Sequence, residues 1–342
     1  MSGSSLDGVD IAYCEFSYDS NWDYKILVAE TFPYTEEWII ALTEMPNQKG
    51  EKLIEYDIRY GKYLGELVSE FIVSHELNPD IISSHGHTIF HNPEEGYTFQ
   101  LGNGQAISSK TSKVTITDFR IENIQLGGQG APLVPIGDKL LFPEYDYCIN
   151  IGGIANISFD KNEKRIAFDI CPANQLLNHL SRQIGEPFDK NGDIALLGKM
   201  NTQLFEELNN HAYYRLPYPK SISNQLVTNS FTKMLTDSEA SVEDKLYTVC
   251  KHIAFQIYKT TEDIVGENVL ITGGGAHNNF LITAIQKETR KNIIIPHRVI
   301  VDFKEAMIFA FMGALRIEGK TNCLASATGA NRDSSSGVIY LP

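Results

Sequence analysis

Asp169 stands in Ala167-Phe168-Asp169-Ile170-Cys171-Pro172-Ala173-Asn174, which reads as the end of a short apolar strand before a proline turn and a helix. A carboxylate there points out of a strand's carboxyl end, where open α/β sheets bind ligands. The same spacing also suits a helix cap, so both readings stand. Asp7 either holds a metal–phosphate complex or caps its own turn. Glu305 follows Asp302-Phe303-Lys304 and opens the helical stretch Ala306–Arg316, where a first-turn acid complements the helix dipole. His85, His87 and His91 form H-x-H-x-x-x-H, whose first two members share a strand face. Three imidazoles suffice for zinc. No carboxylate or cysteine follows at a familiar ligand spacing, so a histidine hydrogen-bonding beside a polar ligand is the plainer reading. Within 115–138, Asp118-Phe119-Arg120 ends a strand before an irregular loop marked by glycine and proline. Polar residues on a rigid strand end beside a mobile loop make a small-molecule site. Arg120 is either a bidentate clamp for a carboxylate or the salt-bridge partner of Asp118 or Glu122.

Glycine turns follow or precede strand-like runs at three separated places. Met1-Ser2-Gly3-Ser4-Ser5-Leu6-Asp7-Gly8 leads into 9–16; Asp146–Ile151 runs into Gly152-Gly153 and resumes at Ile154–Phe159; Val269–Thr272 ends in Gly273-Gly274-Gly275. The first two read as hairpins about 150 residues apart, roughly one domain's length, which suggests two similar lobes. The third reads as strand, loop and helix from Phe280, with Asn278 or Asn279 as the cap. Glycine tolerates positive φ and close approach, and a row of such positions presents several N–H groups to one anion. A helix N-terminus adds more. Three such places point to a polyphosphate ligand. There is no G-x-x-x-x-G-K-[ST], no strand-bound G-x-G-x-x-G with a later acid, and no G-x-S-x-G, so a P-loop, a dinucleotide fold and a nucleophile elbow are not supported.

These residues need a scaffold of some size. The chain has 342 residues with a net charge of −14, 42% hydrophobic and 21% charged, ordinary globular usage for two domains or one large one. The acidic balance argues against nucleic-acid and anionic-membrane partners. Five scattered cysteines without a CxxC read as reduced thiols in a cytoplasmic protein. No apolar run is long enough for a membrane span, and no signal peptide is visible. Leu64, Leu67, Val68, Phe71 and Ile72 recur at helical steps and predict a helix over 51–77, stopped by Asn78-Pro79-Asp80 and followed by a strand at Ile81–Ser84. That is the grammar of an α/β crossover.

Together these stretches resemble the anhydro-N-acetylmuramic acid kinases, of the superfamily of sugar kinases, actin and heat-shock ATPases. The matching segments are Met1–Asp10, Ser84–Pro93, Gln100–Gly104, Thr117–Pro135, Asn150–Asn156, Phe168–Leu177, Asp189–Gly198, Ile271–Asn278 and Asp302–Arg316. The resemblance implies an α/β fold of the two-lobed actin-like (ribonuclease H-like) ATPase type, with the active site in the inter-lobe cleft. The first lobe is expected to be 1–135 plus 317–342 and the second 136–316. It implies ATP and Mg²⁺, with phosphates held by Gly3, Ser4, Ser5, Leu6, Asp7, Gly8, Val9, Asp10, Gly152 and Gly153, and the adenosine side by Gly273, Gly274 and Gly275. Asp7 is the expected Mg²⁺ ligand, Asp169 the general base, and His85, Asp118, Arg120 and Glu305 the sugar-binding groups. The implied reaction opens the 1,6-anhydro ring of anhydro-N-acetylmuramate and phosphorylates O6, in the recycling of peptidoglycan; a homodimer belongs to the same expectation. The family carries a strand and a glycine ahead of the first motif, so the first lobe is expected either to lack its first strand or to want a few residues. Other departures are Ser4 for the usual Thr, His87 for Gln, Asn103 for Asp, Cys171 and Ala173 at small or glycine positions, and Asn178 for Asp. Competing readings are a kinase of another anhydrosugar such as levoglucosan, a nucleotide-gated switch without catalysis, and a zinc hydrolase at the three histidines.

Overall fold

The structure, a computed structural model, describes residues 1–3, 6–262 and 266–342. The chain divides into two compact units, Met1–Leu141 with Phe303–Pro342, and Phe142–Asp302. Residues 136–141 and 303–316, expected in the second lobe, therefore group with the first unit. The boundary at 302/303 falls inside one continuous helix, Arg298–Ile317, which no punctuation in the sequence interrupts.

In the first unit, β1 (Gly8–Tyr18) pairs antiparallel with β2 (Trp22–Pro33). β3 (Ile81–Ser83) lies parallel to β6 (Val114–Thr117), which also pairs antiparallel with the C-terminal strand Val338–Tyr340. β4 (His87–Asn92) and β5 (Tyr97–Leu101) form a separate hairpin. Helix α1 (Gly50–Ser74) buries Tyr60, Leu64 and Phe71. Burying side chains of this size stabilises by roughly 1.5–3 kcal/mol each. The helix ends three residues before the expected stop because the chain closes a Schellman turn: Leu77 N–H reaches Ile72 C=O at 2.9 Å and Glu76 N–H reaches Val73 C=O at 3.3 Å, with Glu76 at φ +53°. A cavity of about 660 Å³ in this unit is walled by β1 along Val9–Ser17, by Ile81–Ser84, and by apolar side chains such as Val68, Phe71 and Phe309.

In the second unit, β7 (Tyr147–Ile151), β8 (Ile154–Lys161), β9 (Lys164–Pro172), β10 (Asn268–Thr272) and β11 (Asn292–Ile294) form one sheet in the order β11-β10-β7-β8-β9. β11, β10 and β7 run parallel, β8 opposes them, and β9 reverses again. The carboxyl ends of β7, β9 and β10 therefore share one edge of the sheet. Helices α2 (Asn174–Arg182), α3 (Val242–Thr261) and α4 (Asn279–Thr289) accompany it. Leu246, Val249, Ile253 and Ile257 recur at three- and four-residue steps along α3 and are fully buried against Ile149, Ile271, Leu281 and the rest of one core.

Candidate active site

Asp169 lies within β9, three residues short of its end, not at the strand terminus the sequence suggested. The register jumps from Ala155↔Cys171 to Asn156↔Asp169, so Ile170 is the extra residue of a β-bulge. A bulge bends its strand and re-aims the neighbouring side chain. The cap reading fails, because α2 begins after Ala173. Asp169 is half-buried, and its Oδ2 accepts the backbone N–H of Ile222 at 2.8 Å. Burial pushes its carboxyl up from 3.8 to about 6, and the Ile222 N–H pulls part of that back. Such a carboxylate is ionised at neutral pH yet a far stronger base than a surface aspartate.

Beside it on the same edge, the β7–β8 hairpin turns at Gly152-Gly153. The carbonyls of Gly152 and Gly153 accept from Asn174 N–H (3.1 Å), Ala173 N–H (2.9 Å) and Gln175 N–H (3.1 Å), and Asn174 Nδ2 donates to Ile151 C=O at 3.1 Å. The hairpin is thereby stitched to the first turn of α2, whose leading amides are spent on that stitch. Neither glycine has positive φ; a Cβ at Gly153 would stand 3.0 Å from Gln175 Cγ, a contact to which the flexible Gln175 side chain would have to yield. The third glycine run follows β10. Gly273 has φ +83°, and a Cβ at Gly275 would lie 2.2 Å from Ile151 Cγ2, so this loop packs directly on the end of β7. The cap of α4 is Asn278, whose Oδ1 accepts Leu281 N–H at 2.9 Å. Asp169, Gly152-Gly153 and Gly273–Gly275 are thus gathered at one sheet edge from positions far apart in the chain.

In the first unit the opening hairpin is closed by an antiparallel Ser2↔Val9 bridge and by the exchange of bonds between Met1 and Asp10, at 2.7 and 2.8 Å. Ser4 and Ser5, both expected to touch phosphate, lie outside the described residues. Leu6 carries the left-handed turn at φ +59°. Gly8 is needed in the strand, where a Cβ would stand 2.4 Å from Phe32 C=O. Val9 is buried in the core, Asp7 is exposed, and Asp10 Oδ1 accepts from Thr31 Oγ1 at 2.6 Å.

His85, Arg120 and Glu305 come together. Arg120 Nε donates to His85 Nε2 at 2.8 Å and its Nη1 to Gly130 C=O at 2.7 Å. His85 must then carry its proton on Nδ1, which faces Gly86 C=O at 3.0 Å, and its ring packs on Phe309 at 4.7 Å. Burial and then the Arg120 charge hold His85 well below its usual range, so it stays neutral. Crowding by protein pushes the Glu305 carboxyl up while Arg120 and the Met1 ammonium pull it down. Among the described residues Arg120 makes no ion pair with Asp118 or Glu122. Glu305 is not a first-turn residue, because its helix starts at Arg298 and places it two turns inside. Asp118 stands apart from this trio: its Oδ2 accepts from Thr117 Oγ1 at 2.6 Å and from the Tyr340 hydroxyl at 3.3 Å, with φ +59°. The stretch 115–138 begins in β6, holds a short helix at Ile121–Gln125 and runs into a second at Pro135–Leu141.

The three histidines do not converge on a metal. His85 precedes β4 rather than sharing its face, His87 Nδ1 bonds Ser2 Oγ at 2.8 Å, and His91 Nδ1 bonds Thr98 Oγ1 at 3.1 Å. Among the described residues no three His, Cys, Asp or Glu side chains form a metal-holding group, and no helix is long and apolar enough to cross a membrane. Sequence reasoning missed the segment that holds Asp169 (Tyr213, Lys220 and Ile222), since bonds made through backbone amides leave no residue signature. It also missed Asp57, on the half-buried face of α1, whose carboxylate accepts Gly102 N–H at 2.8 Å and Asn103 Nδ2 at 3.0 Å.

A family model for anhydro-N-acetylmuramic acid kinase matches residues 1–342. Relatives of that name include one from Aliivibrio fischeri, 34% identical across 99% of this chain and 97% of that protein. Another, from Pasteurella multocida, is 31% identical across 99% of this chain and 95% of that protein. Likeness to solved structures is looser. The activator of 2-hydroxyisocaproyl-CoA dehydratase from Clostridium difficile covers 91% of this chain and 98% of its own, at TM-score 0.42 and 14% identity. A ROK family glucokinase from Streptomyces griseus covers 87% and 97%, at TM-score 0.39 and 9% identity.

Proposed function

The chain belongs to the anhydro-N-acetylmuramic acid kinase family, and we propose that it is an ATP-dependent kinase that opens the 1,6-anhydro ring of anhydro-N-acetylmuramate and phosphorylates O6, with Asp169 as general base. The observation that carries the base assignment is the Asp169 carboxylate, half-buried, raised to about 6, and held by a single amide donor on Oδ2. Acetal hydrolysis ordinarily needs an acid for the leaving oxygen and a base for water. In this reaction the leaving O6 is captured by the γ-phosphoryl group, so one carboxylate is enough. Asp169 takes a proton from water as its oxygen attacks C1; the C1–O6 bond breaks, O6 bonds to phosphorus, and ADP leaves. The products are N-acetylmuramate 6-phosphate and ADP.

Gly152 and Gly274 are the open members of the two runs Gly152-Gly153 and Gly273–Gly275, a Cβ at either meeting nothing nearer than 3.4 Å, so backbone there can lie against a nucleotide, while Gly275 is fixed by its packing on Ile151. We assign the first to phosphate, the second to the adenosine side, and the Gly3–Asp10 hairpin to phosphate. Magnesium, when bound with the triphosphate, neutralises charge developing at phosphorus. It commonly keeps its waters and takes only one or two carboxylates, a demand the exposed Asp7 meets. His85, Asp118, Arg120 and Glu305 are assigned to the sugar, with the Arg120 guanidinium, already oriented by His85 and Gly130, facing the lactyl carboxylate. Given a role in peptidoglycan recycling, we assign the enzyme to the cytoplasm.

The test is coupled ADP release with anhydro-N-acetylmuramate, levoglucosan and N-acetylmuramate in parallel. Turnover with the first alone supports the assignment. Preference for levoglucosan transfers the chain to another anhydrosugar, and absence of turnover with all three removes the kinase reading.

A further inference from the structure

One short segment, Tyr213–Ile222, grips Asp169 at its N–H, its C=O and one carboxylate oxygen. The Tyr213 hydroxyl donates to the Asp169 carbonyl, Asp169 N–H donates to Lys220 C=O at 3.1 Å, and Ile222 N–H donates to Asp169 Oδ2 at 2.8 Å. β9 is the edge strand of its sheet and is bulged here, so the ladder does not hold this residue by itself. The segment is itself pinned. Tyr218 stacks on Phe168 with centroids 5.3 Å apart and planes 5° from parallel, and Lys220 Nζ lies 4.6 Å from the Tyr213 ring centroid.

Next to Tyr213, the Tyr214 hydroxyl meets His252 Nε2 at 2.8 Å; His252 Nδ1 meets Asn209 Oδ1 at 2.8 Å, and Gln256 Nε2 donates to the same oxygen at 2.8 Å. Since Asn209 Oδ1 only accepts, His252 carries its proton on Nδ1, and Nε2 accepts from Tyr214. His252 is fully buried, so its ring stays neutral and the relay keeps one arrangement. A chain of satisfied, part-buried hydrogen bonds thus runs from α3 to Tyr214, the sequence neighbour of the residue that clasps Asp169.

We propose that Tyr213–Ile222 is a positioning strap for the base: Tyr213 latches it, the Tyr214–His252–Asn209 relay anchors it, and Ile222 N–H fixes Oδ2 so that Oδ1 is the oxygen presented to water. Tyr213 and Tyr214 are positioning residues and touch no reacting atom. This inference rests on the general-base role assigned above. A slack strap withdraws the Ile222 donor, frees the carboxylate to rotate, and makes it hold its proton more tightly.

The experiment measures kcat and KM against pH in the full-length enzyme for Tyr213→Phe, Tyr214→Phe and a variant with the Ile222 amide replaced by an ester. Both tyrosine changes keep the ring and remove only a hydroxyl. Each is expected to lower kcat by about tenfold, leave both KM values within about twofold, and move the acid limb of kcat upward by roughly half a pH unit to one unit. The ester is expected to move the limb by about one to two units, the share of one charge-assisted hydrogen bond. A fall in activity with an unmoved limb in the ester overturns the strap, and so does wild-type behaviour in all three. Asp169→Asn, run beside them, separates the two ideas: wild-type turnover there removes the base itself, whereas an inactive Asp169→Asn with an unmoved ester limb removes only the strap.

Discussion

Replacing Asp169 with Asn should cost activity and gain stability at once. The folded protein holds this carboxyl at about 6 against an ordinary 3.8, chiefly through burial. The folded state therefore binds the proton more tightly than the unfolded chain. Stability from this group is fully present below pH 3.8 and is lost as pH rises through 6. Above pH 7 the ionised form costs at most roughly 3 kcal/mol, and because Asp169 is only half-buried, about 1–3 kcal/mol is the reasonable range. Asparagine keeps an oxygen for the Ile222 N–H and carries no charge, so that cost disappears. In a unit of this size the melting temperature at pH 8 should rise by roughly 3–10 °C. The gain should shrink toward zero at pH 4, where wild-type Asp169 is mostly protonated.

Turnover should meanwhile fall about 10²–10⁴-fold, the share a positioned general base supplies. The wild type should lose about tenfold in kcat between pH 7.5 and pH 5, because only about a tenth of a group titrating near 6 remains ionised at pH 5. Scanning calorimetry at pH 4, 6 and 8 and ADP release across the same range are the measurements. Activity lost with no pH-dependent gain in melting temperature would refute burial as the source of the raised affinity for the proton. Retained turnover would refute the base.

Arg120→Lys removes a planar cation already oriented by His85 and Gly130; KM for anhydro-N-acetylmuramate should rise about 10–100-fold, and any weak levoglucosan turnover should change little. Gly275→Ala forces a methyl to within 2.2 Å of Ile151 Cγ2, so calorimetry should show a loss of about 1–3 kcal/mol and ATP titration a higher KM. Lys304 and Asp138 form a buried ion pair at 2.9 Å. Lys304→Met alone should cost about 3–5 kcal/mol, whereas Lys304→Met with Asp138→Leu should recover most of it, read from denaturant midpoints.

The sequence alone determined the glycine turns and the long helix near 51–77, narrowed the cap to Asn278 or Asn279 and put Asp169 forward as the candidate base, because each depends on neighbours along the chain or on a motif. It could not determine that Asp169 sits inside a bulged edge strand, that Glu305 stands two turns into a helix beginning at Arg298, or that Arg120 spends its donors on His85 and Gly130 instead of on Asp118. Those outcomes were decided by tertiary structure. The groups that orient Asp169 are a backbone amide, a carbonyl and a hydroxyl at least 44 residues away, and backbone donors are the same whatever side chain they carry. Spacing selects which residues can do chemistry; only packing fixes how much water reaches them and which oxygen is left free to act.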